Sequence, residues 1–369
     1  MKTITFQRLL SLVNSALWNE PINESLFTDM DSKLWRELYY FAVRHGVLAV
    51  SYDGLLHLSS DHRPSLELHM RWALSVEQIE KRHEQILNAT TGLSDLFRKQ
   101  HINMLVFKGL SLSSYYPIPA HREFGDIDIY LFGKHKEGDT LLKSIAVNKN
   151  ASNHYKHSNY YYRDIMIENH AYLLNVRDSA QIKKLNLVLL DILQQNRTGE
   201  NIHKDKLLFP SPDFTALFFI IHAIKHLSTA PLQLRTYCDW ALFLKEHANE
   251  LNTDKWKNTL DNAGLLKIAE AITSLAVQWL APSLDIPFPL RDHPELEKRI
   301  SNEMLKPFYS PCQSKAPHKV FIYKYKRLCK ICQRHISFYG GNLYKHSFSR
   351  FYSSFIDHVR HPETIFKIQ

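Results

Sequence analysis

Glycine is scarce in this chain, 11 of 369 residues, and proline contributes only 15. That composition excludes a collagen-like or low-complexity polymer. With the long amphipathic runs it points to a helix-rich protein. No internal repeat is visible, so a solenoid or propeller is not expected. Cysteine is nearly absent, with four in all. A disulfide scaffold is therefore not expected, and a cytoplasmic location is. Long hydrophobic runs are missing too. The most apolar one, FTALFFII from Phe214 to Ile221, is far too short to span a bilayer. The opening stretch MKTITFQRLLSLVNSALWNE is interrupted at Gln7, Arg8, Ser11 and Asn14. No small-residue cleavage site follows, so no signal peptide is expected. An excess of charge is also lacking through most of the chain. Residues 1–300 hold 34 basic and 34 acidic side chains, and the net charge of +9 arises from Ser301 onward, with 12 basic against three acidic residues.

What is present is an ordinary globular composition, 44% hydrophobic and 22% charged. The length suffices for two or three domains and a sizeable core. Residues 1–100 carry apolar residues at helical spacing. DSKLWRELYYFAVRHG opens on an Asp or Ser cap, and the long helix from SLELHM onward is expected to break near Thr90–Gly92. The period then changes. INMLVF, Ile102 to Phe107, predicts a buried strand ended by Lys108-Gly109. LSLSSYY predicts one or two helical turns, and PIPAHRE a loop, since Pro117 and Pro119 cannot continue a helix. GDIDIYLF predicts a second strand and GDTLLKSIAVNKN a short helix; SNYYYRDIMIENHAYLL predicts one or two further strands, as a hairpin across Arg163-Asp164. From about Ser179 the pattern is helical. The expected order is a helical segment over 1–100, an α/β core over 101–178, a helical domain over 179–300 and a basic, aromatic-rich tail over 301–369. The fold class is α+β.

Within the second strand, Asp126 and Asp128 are two residues apart and share a face. Two ionised carboxylates so close repel and lose hydration, so a cation is expected to compensate them. Mg²⁺ takes hard oxygen ligands and shares them with phosphates. Of the acids on the next β-patterned stretch, Asp164 and Glu168, the expected third ligand is Glu168, with His170 on its face. Gly109 lets the backbone approach a phosphate, and the start of the following helix favours anions. Ser111 and Ser113 can add hydroxyls, and Lys108 and Arg122 positive charge.

The stretch FKGLSLSSYYPIPAHREFGDIDIYLF resembles the signature of bacterial nucleotidyltransferase-family proteins in the DNA polymerase β-like superfamily. It carries Lys-Gly, Tyr-Tyr-Pro, an Arg and Gly-Asp-Ile-Asp in that order. The resemblance extends over roughly residues 30–280, through IENH and IHAIKHLSTAPLQLRTYCDWALFL. It implies a small mixed sheet flanked by helices and a metal-dependent enzyme. The implied reaction transfers a nucleoside monophosphate from an NTP, ATP among them, with two Mg²⁺ or Mn²⁺ ions. Asp126, Asp128 and Glu168 would hold metal; Lys108, Gly109, Ser111, Arg122 and Gly125 would hold the nucleotide. The superfamily's Gly-Ser pair is Gly109-Leu110 here, which shifts phosphate contacts toward Lys108 and Arg122. His154, His157, His170, His222, His226, Arg235 and Asp239 are expected on the acceptor side. The acceptor is a small molecule, a sugar, a protein or an RNA. The alternative is a catalytically inert nucleotide- or partner-binding regulatory protein of the same fold.

His222 and His226 share a helix face, as do Arg235 and Asp239. No His-Glu-x-x-His pattern links the histidines, and a buried polar network joining the two helices is the other reading. Cys329-x2-Cys332-x2-His335, with Cys312, invites a zinc reading, but RLCKICQRH reads better as a helix. The basic stretch over 318–336 is either a helix packed by its apolar side with Lys and Arg solvated, or a site for an anionic, peripheral membrane surface or for nucleic acid.

Overall fold

The structure, a computed structural model, describes residues 2–145, 155–177, 179–195, 207–281, 284, 286, 290–305 and 317–339. Four α-helices come first: α1 (Lys2–Trp18), α2 (Ser32–His45), α3 (Leu48–Leu56) and α4 (Leu66–Lys99). The Asp31 carboxylate caps α2 by accepting from the Leu34 amide at 2.7 Å, and Gly46 at φ 65° closes it. The expected break near Thr90–Gly92 does not occur, and α4 runs unbroken for 34 residues. The hydroxyls of Thr90 and Thr91 donate back to the carbonyls of Ile86 and Leu87, which satisfies them inside the helix. Burial of Ala89, Leu93 and Phe97 outweighs the roughly 1 kcal/mol that Gly92 costs.

Next come β1 (Leu105–Val106), α5 (Gly109–Ser113), β2 (Asp126–Tyr130), α6 (His135–Ile145), β3 (His157–Tyr162) and β4 (Ile165–His170). The sheet order is β1-β2-β4-β3. Strand β2 runs parallel to β4, and the other pairs are antiparallel. Strand β1 is shorter than the apolar run that announces it. Only Leu105 and Val106 pair with β2, and Leu105 also bridges to Leu208. The hairpin lies where expected. Arg163 and Asp164 form its two-residue turn with φ of 51° and 60°, the left-handed pair that matches strand twist. One face of the sheet, with Ile127, Ile129, Tyr160, Ile165 and Ile167, packs on Ile86 and Phe97 of α4 and Leu142 of α6. The other face carries Asp126, Asp128, His157, Glu168 and His170.

Helices follow: α7 (Ala180–Gln195), α8 (Pro212–Thr229), α9 (Leu234–His247), α10 (Thr253–Asn262), α11 (Leu266–Leu280), α12 (Pro294–Met304) and α13 (Pro317–Tyr339). The chain is therefore α+β, a small mixed sheet between helical segments, as the sequence implied. It groups into two compact units. The first comprises Met1–Phe219, Gln233–Thr259 and Leu275–Pro289, and holds the whole sheet.

The second unit takes Ile220–Leu232, Leu260–Ser274 and the described residues of Leu290–Gln369. There α13 buries Val320, Cys332 and Phe338 and leaves Ile322 and Tyr325 exposed. Arg334 departs from the expected solvated pattern. It is buried, pairs with Glu303 and donates to the Leu227 carbonyl at 3.1 Å. Cys329 and Cys332 are free thiols on α13, while Cys312, the His335 side chain and His154 lie outside the described residues. Among the described residues, no group of metal-ligating side chains includes a cysteine. His226 is exposed and its Nε2 lies 2.8 Å from His222 Nε2 on the same helix. Lys225 and His226 occupy the solvent side of α8, whose other side buries Ile221 and Ile224.

Candidate active site on the sheet

Strand pairing sets the site. Asp128 lies opposite Glu168, and Asp126 opposite Met166. Across the hairpin, His157 lies opposite His170. Because side chains alternate, Asp126, Asp128, Glu168, His170 and His157 project from one face of three adjacent strands. Asp164, the acid set aside in favour of Glu168, sits in the hairpin turn. The Lys-Gly turn follows β1. Lys108 has φ 63° and ψ −151°, a backbone region that residues with a side chain rarely occupy. Gly109 has φ 25°, and a Cβ there would meet Phe124 Cδ2 at 3.0 Å. This turn points the Lys108 ammonium at the acids, with Nζ 2.6 Å from Asp128 Oδ1. His170 Nε2 lies 2.8 Å from the same oxygen and 3.3 Å from Glu168 Oε2. His157 Nδ1 is 3.7 Å from Glu168 Oε2.

The three acids differ in electrostatics. Burial opposes the charge on Asp128, but Lys108 and His170 outweigh it and hold the carboxyl far below the ordinary carboxylate range. Burial likewise works against the Lys108 ammonium, yet the Asp128 carboxylate wins and shifts it upward. Glu168 is pushed up by burial and, more strongly, down by its His170 hydrogen bond and other partners. Asp126 goes the other way. Burial, then repulsion from Asp128, raises it. Among the described residues its carboxylate makes no ion pair or hydrogen bond to another residue, and Asp128 Oδ2 carries neither bond made by Oδ1. The half-buried Asp126 carboxylate, which lacks such a cationic partner, and the second oxygen of Asp128 offer hard donors that fit a divalent cation of the Mg²⁺ type.

The other predicted residues fall into different places. Ser111 and Ser113 are buried and turn their hydroxyls onto the carbonyls of Lys108 and Leu110. Gly125 is exposed with no atom near its missing Cβ. Arg122 is buried and grips Asp239 with two hydrogen bonds of 2.8 Å, while Tyr116 donates to the same carboxylate at 2.8 Å. Arg235 donates to the Glu123 carbonyl. Arg122, Tyr116 and Glu123 flank the loop before β2, so this network anchors that loop to α9. Sequence reasoning missed Tyr116 and the Lys108–Asp128 pair. The signal for the second was available, since Lys108 ends the strand adjacent to the one bearing Asp128.

A family model described as an uncharacterised nucleotidyltransferase matches residues 31–281. That is more than half of the 369 residues. The chain belongs to this family. The match begins at the cap of α2 and ends after α11, so it includes all four strands and every acid of the site. No curated protein and no solved structure matches the chain. Nucleotidyl transfer is accordingly the activity class of this nucleotidyltransferase-family protein, and the family match agrees with the extent read from the signature residues.

Proposed function

We propose that this nucleotidyltransferase moves a nucleoside monophosphate from an NTP to a hydroxyl group of an acceptor, using divalent cations at Asp126, Asp128 and Glu168. The observation that carries this reading is the row of three acids on one sheet face with the Lys108 ammonium at its edge. Cations bound there neutralise phosphate charge and polarise the phosphorus for in-line displacement. Asp126 and Asp128 orient the donor's phosphates. Lys108 stays protonated and balances charge that builds on the departing pyrophosphate. Gly109 lets the chain approach the phosphates without a side chain in the way. Helix α5 is only five residues long, so its dipole contributes little and Lys108 carries more of this work. Glu168 completes the second cation position through one oxygen and accepts the proton of the attacking hydroxyl on the other. Arg122 holds the strand through Asp239.

Calorimetry with ATP, GTP, CTP and UTP, each with and without Mg²⁺, tests the reading. Metal-dependent binding of one nucleotide, lost in Asp126→Asn, is the expected result. No binding of any nucleotide to the wild type refutes it. The second reading, an inert nucleotide-binding protein, draws on the Lys108 ammonium already seated on Asp128 and the inward Ser111 hydroxyl. Tight nucleotide binding without pyrophosphate release against any acceptor class would favour it.

A further inference from the structure

A row of carboxylates alone would suit Mg²⁺ throughout, but one end of this row is rich in imidazole. His157, Glu168 and His170 each offer a ligand atom, and these atoms lie within 4.8 Å of one another. His170 is fully buried. Its Nδ1 stands 3.3 Å from the Tyr172 carbonyl oxygen. Its Nε2 stands 2.8 Å from Asp128 Oδ1 and 3.3 Å from Glu168 Oε2. A metal ion bound at Nε2 takes the place of the proton that this nitrogen shares with the carboxylates. The carbonyl behind His170 is the kind of outer contact that orients metal-binding imidazoles.

We propose that His157, Glu168 and His170 bind a borderline divalent ion of the zinc class, beside the hard-cation position at Asp126 and Asp128. Imidazole suits Zn²⁺ and its neighbours, whereas Mg²⁺ holds its water and prefers oxygen. Two imidazoles and one carboxylate leave a fourth tetrahedral position for water or another oxygen. Bound ligand atoms about 2.0–2.2 Å from such an ion sit at most about 4.4 Å apart. The contacts of 3.3 and 3.7 Å around Glu168 already meet that limit. The proposal deepens the nucleotidyl-transfer reading by giving its two metal positions different chemistry.

The test uses the full chain without nucleotide, and Co²⁺ as the probe. Wild type is expected to bind Co²⁺ with the visible absorption of mixed nitrogen and oxygen ligation and to keep it in excess Mg²⁺. His157→Gln lies at the start of a strand with a half-buried side chain, and circular dichroism verifies its fold. It should weaken Co²⁺ by more than the roughly 10–100-fold that loss of an outer-sphere partner costs. Asp126→Asn should keep the Co²⁺ spectrum while losing Mg²⁺-dependent nucleotide binding, which separates this proposal from the donor reading. Co²⁺ that does not bind, that Mg²⁺ displaces, or that binds His157→Gln as well as wild type would overturn the proposal.

Discussion

Asp126 and Asp128 are chemically identical and share a face, yet replacing each by Asn should move stability in opposite directions. Asp128 is buried and holds Lys108 at 2.6 Å and His170 at 2.8 Å. Removing one partner of a buried ion pair costs about 3–5 kcal/mol, because the other charge is left without compensation. Against a total stability of about 5–15 kcal/mol, Asp128→Asn should shift the urea midpoint down markedly. Asp126 has no such partner and feels Asp128 two residues away. Carboxylates about 6.6 Å apart along a strand repel by roughly 2.5 kcal/mol at an effective dielectric of 20. Attraction to Lys108 cancels part of that, leaving Asp126→Asn stabilising by about 0.5–2 kcal/mol. Urea unfolding in EDTA measures both, and an unchanged slope shows that the comparison is like for like. Equal destabilisation by the two variants, or a loss above about 1 kcal/mol in Asp126→Asn, would refute the account. A residue that weakens the fold while it stays is one retained for chemistry.

Gly109→Ala should cost about 1–3 kcal/mol, since φ 25° and the Phe124 ring leave a Cβ little room; a melting temperature equal to wild type would show that the turn is not as described. Burial, with Arg44 next, lowers the buried His45 to about 3. An unfolded histidine titrates near 6.5, so in between the unfolded chain binds a proton that the folded one does not. Stability should therefore be full above about pH 6.5 and fall on acidification by up to roughly 1.4 kcal/mol per pH unit. Asp128 and Glu168, being depressed, add losses only below about pH 4.3. His45→Gln should flatten the slope between pH 4.5 and 6.5, measured by denaturant midpoints across that range, and an unchanged slope would remove His45 as its source.

Much of this molecule is legible from local signals. The Asp-x-Asp spacing, the turn at Arg163-Asp164 and the cap at Asp31 each follow from short-range rules, and each appears in the structure. The two-residue turn even fixes register, since it puts His157 across from His170 by counting outward. What short stretches do not contain is the partner from far away. Arg122 reads as a charge available for phosphate until Asp239 is seen to hold it. Ser111 reads as a free hydroxyl, but an early helical turn offers it a carbonyl three residues back. The supposed break at Thr90–Gly92 vanishes because tertiary burial of the flanking residues outweighs a weak local preference.

The Arg122–Asp239 clasp also bears on how the chain matures during synthesis. Its partners are separated by 117 residues. At about 5–20 residues per second, Asp239 leaves the ribosome roughly 6–23 s after Arg122. All the acids of the site emerge earlier, so the strand that carries Asp126 and Asp128 waits, unclasped and with a guanidinium that has no buried counter-charge. A fragment cut at the end of the sheet would remain in that waiting state indefinitely.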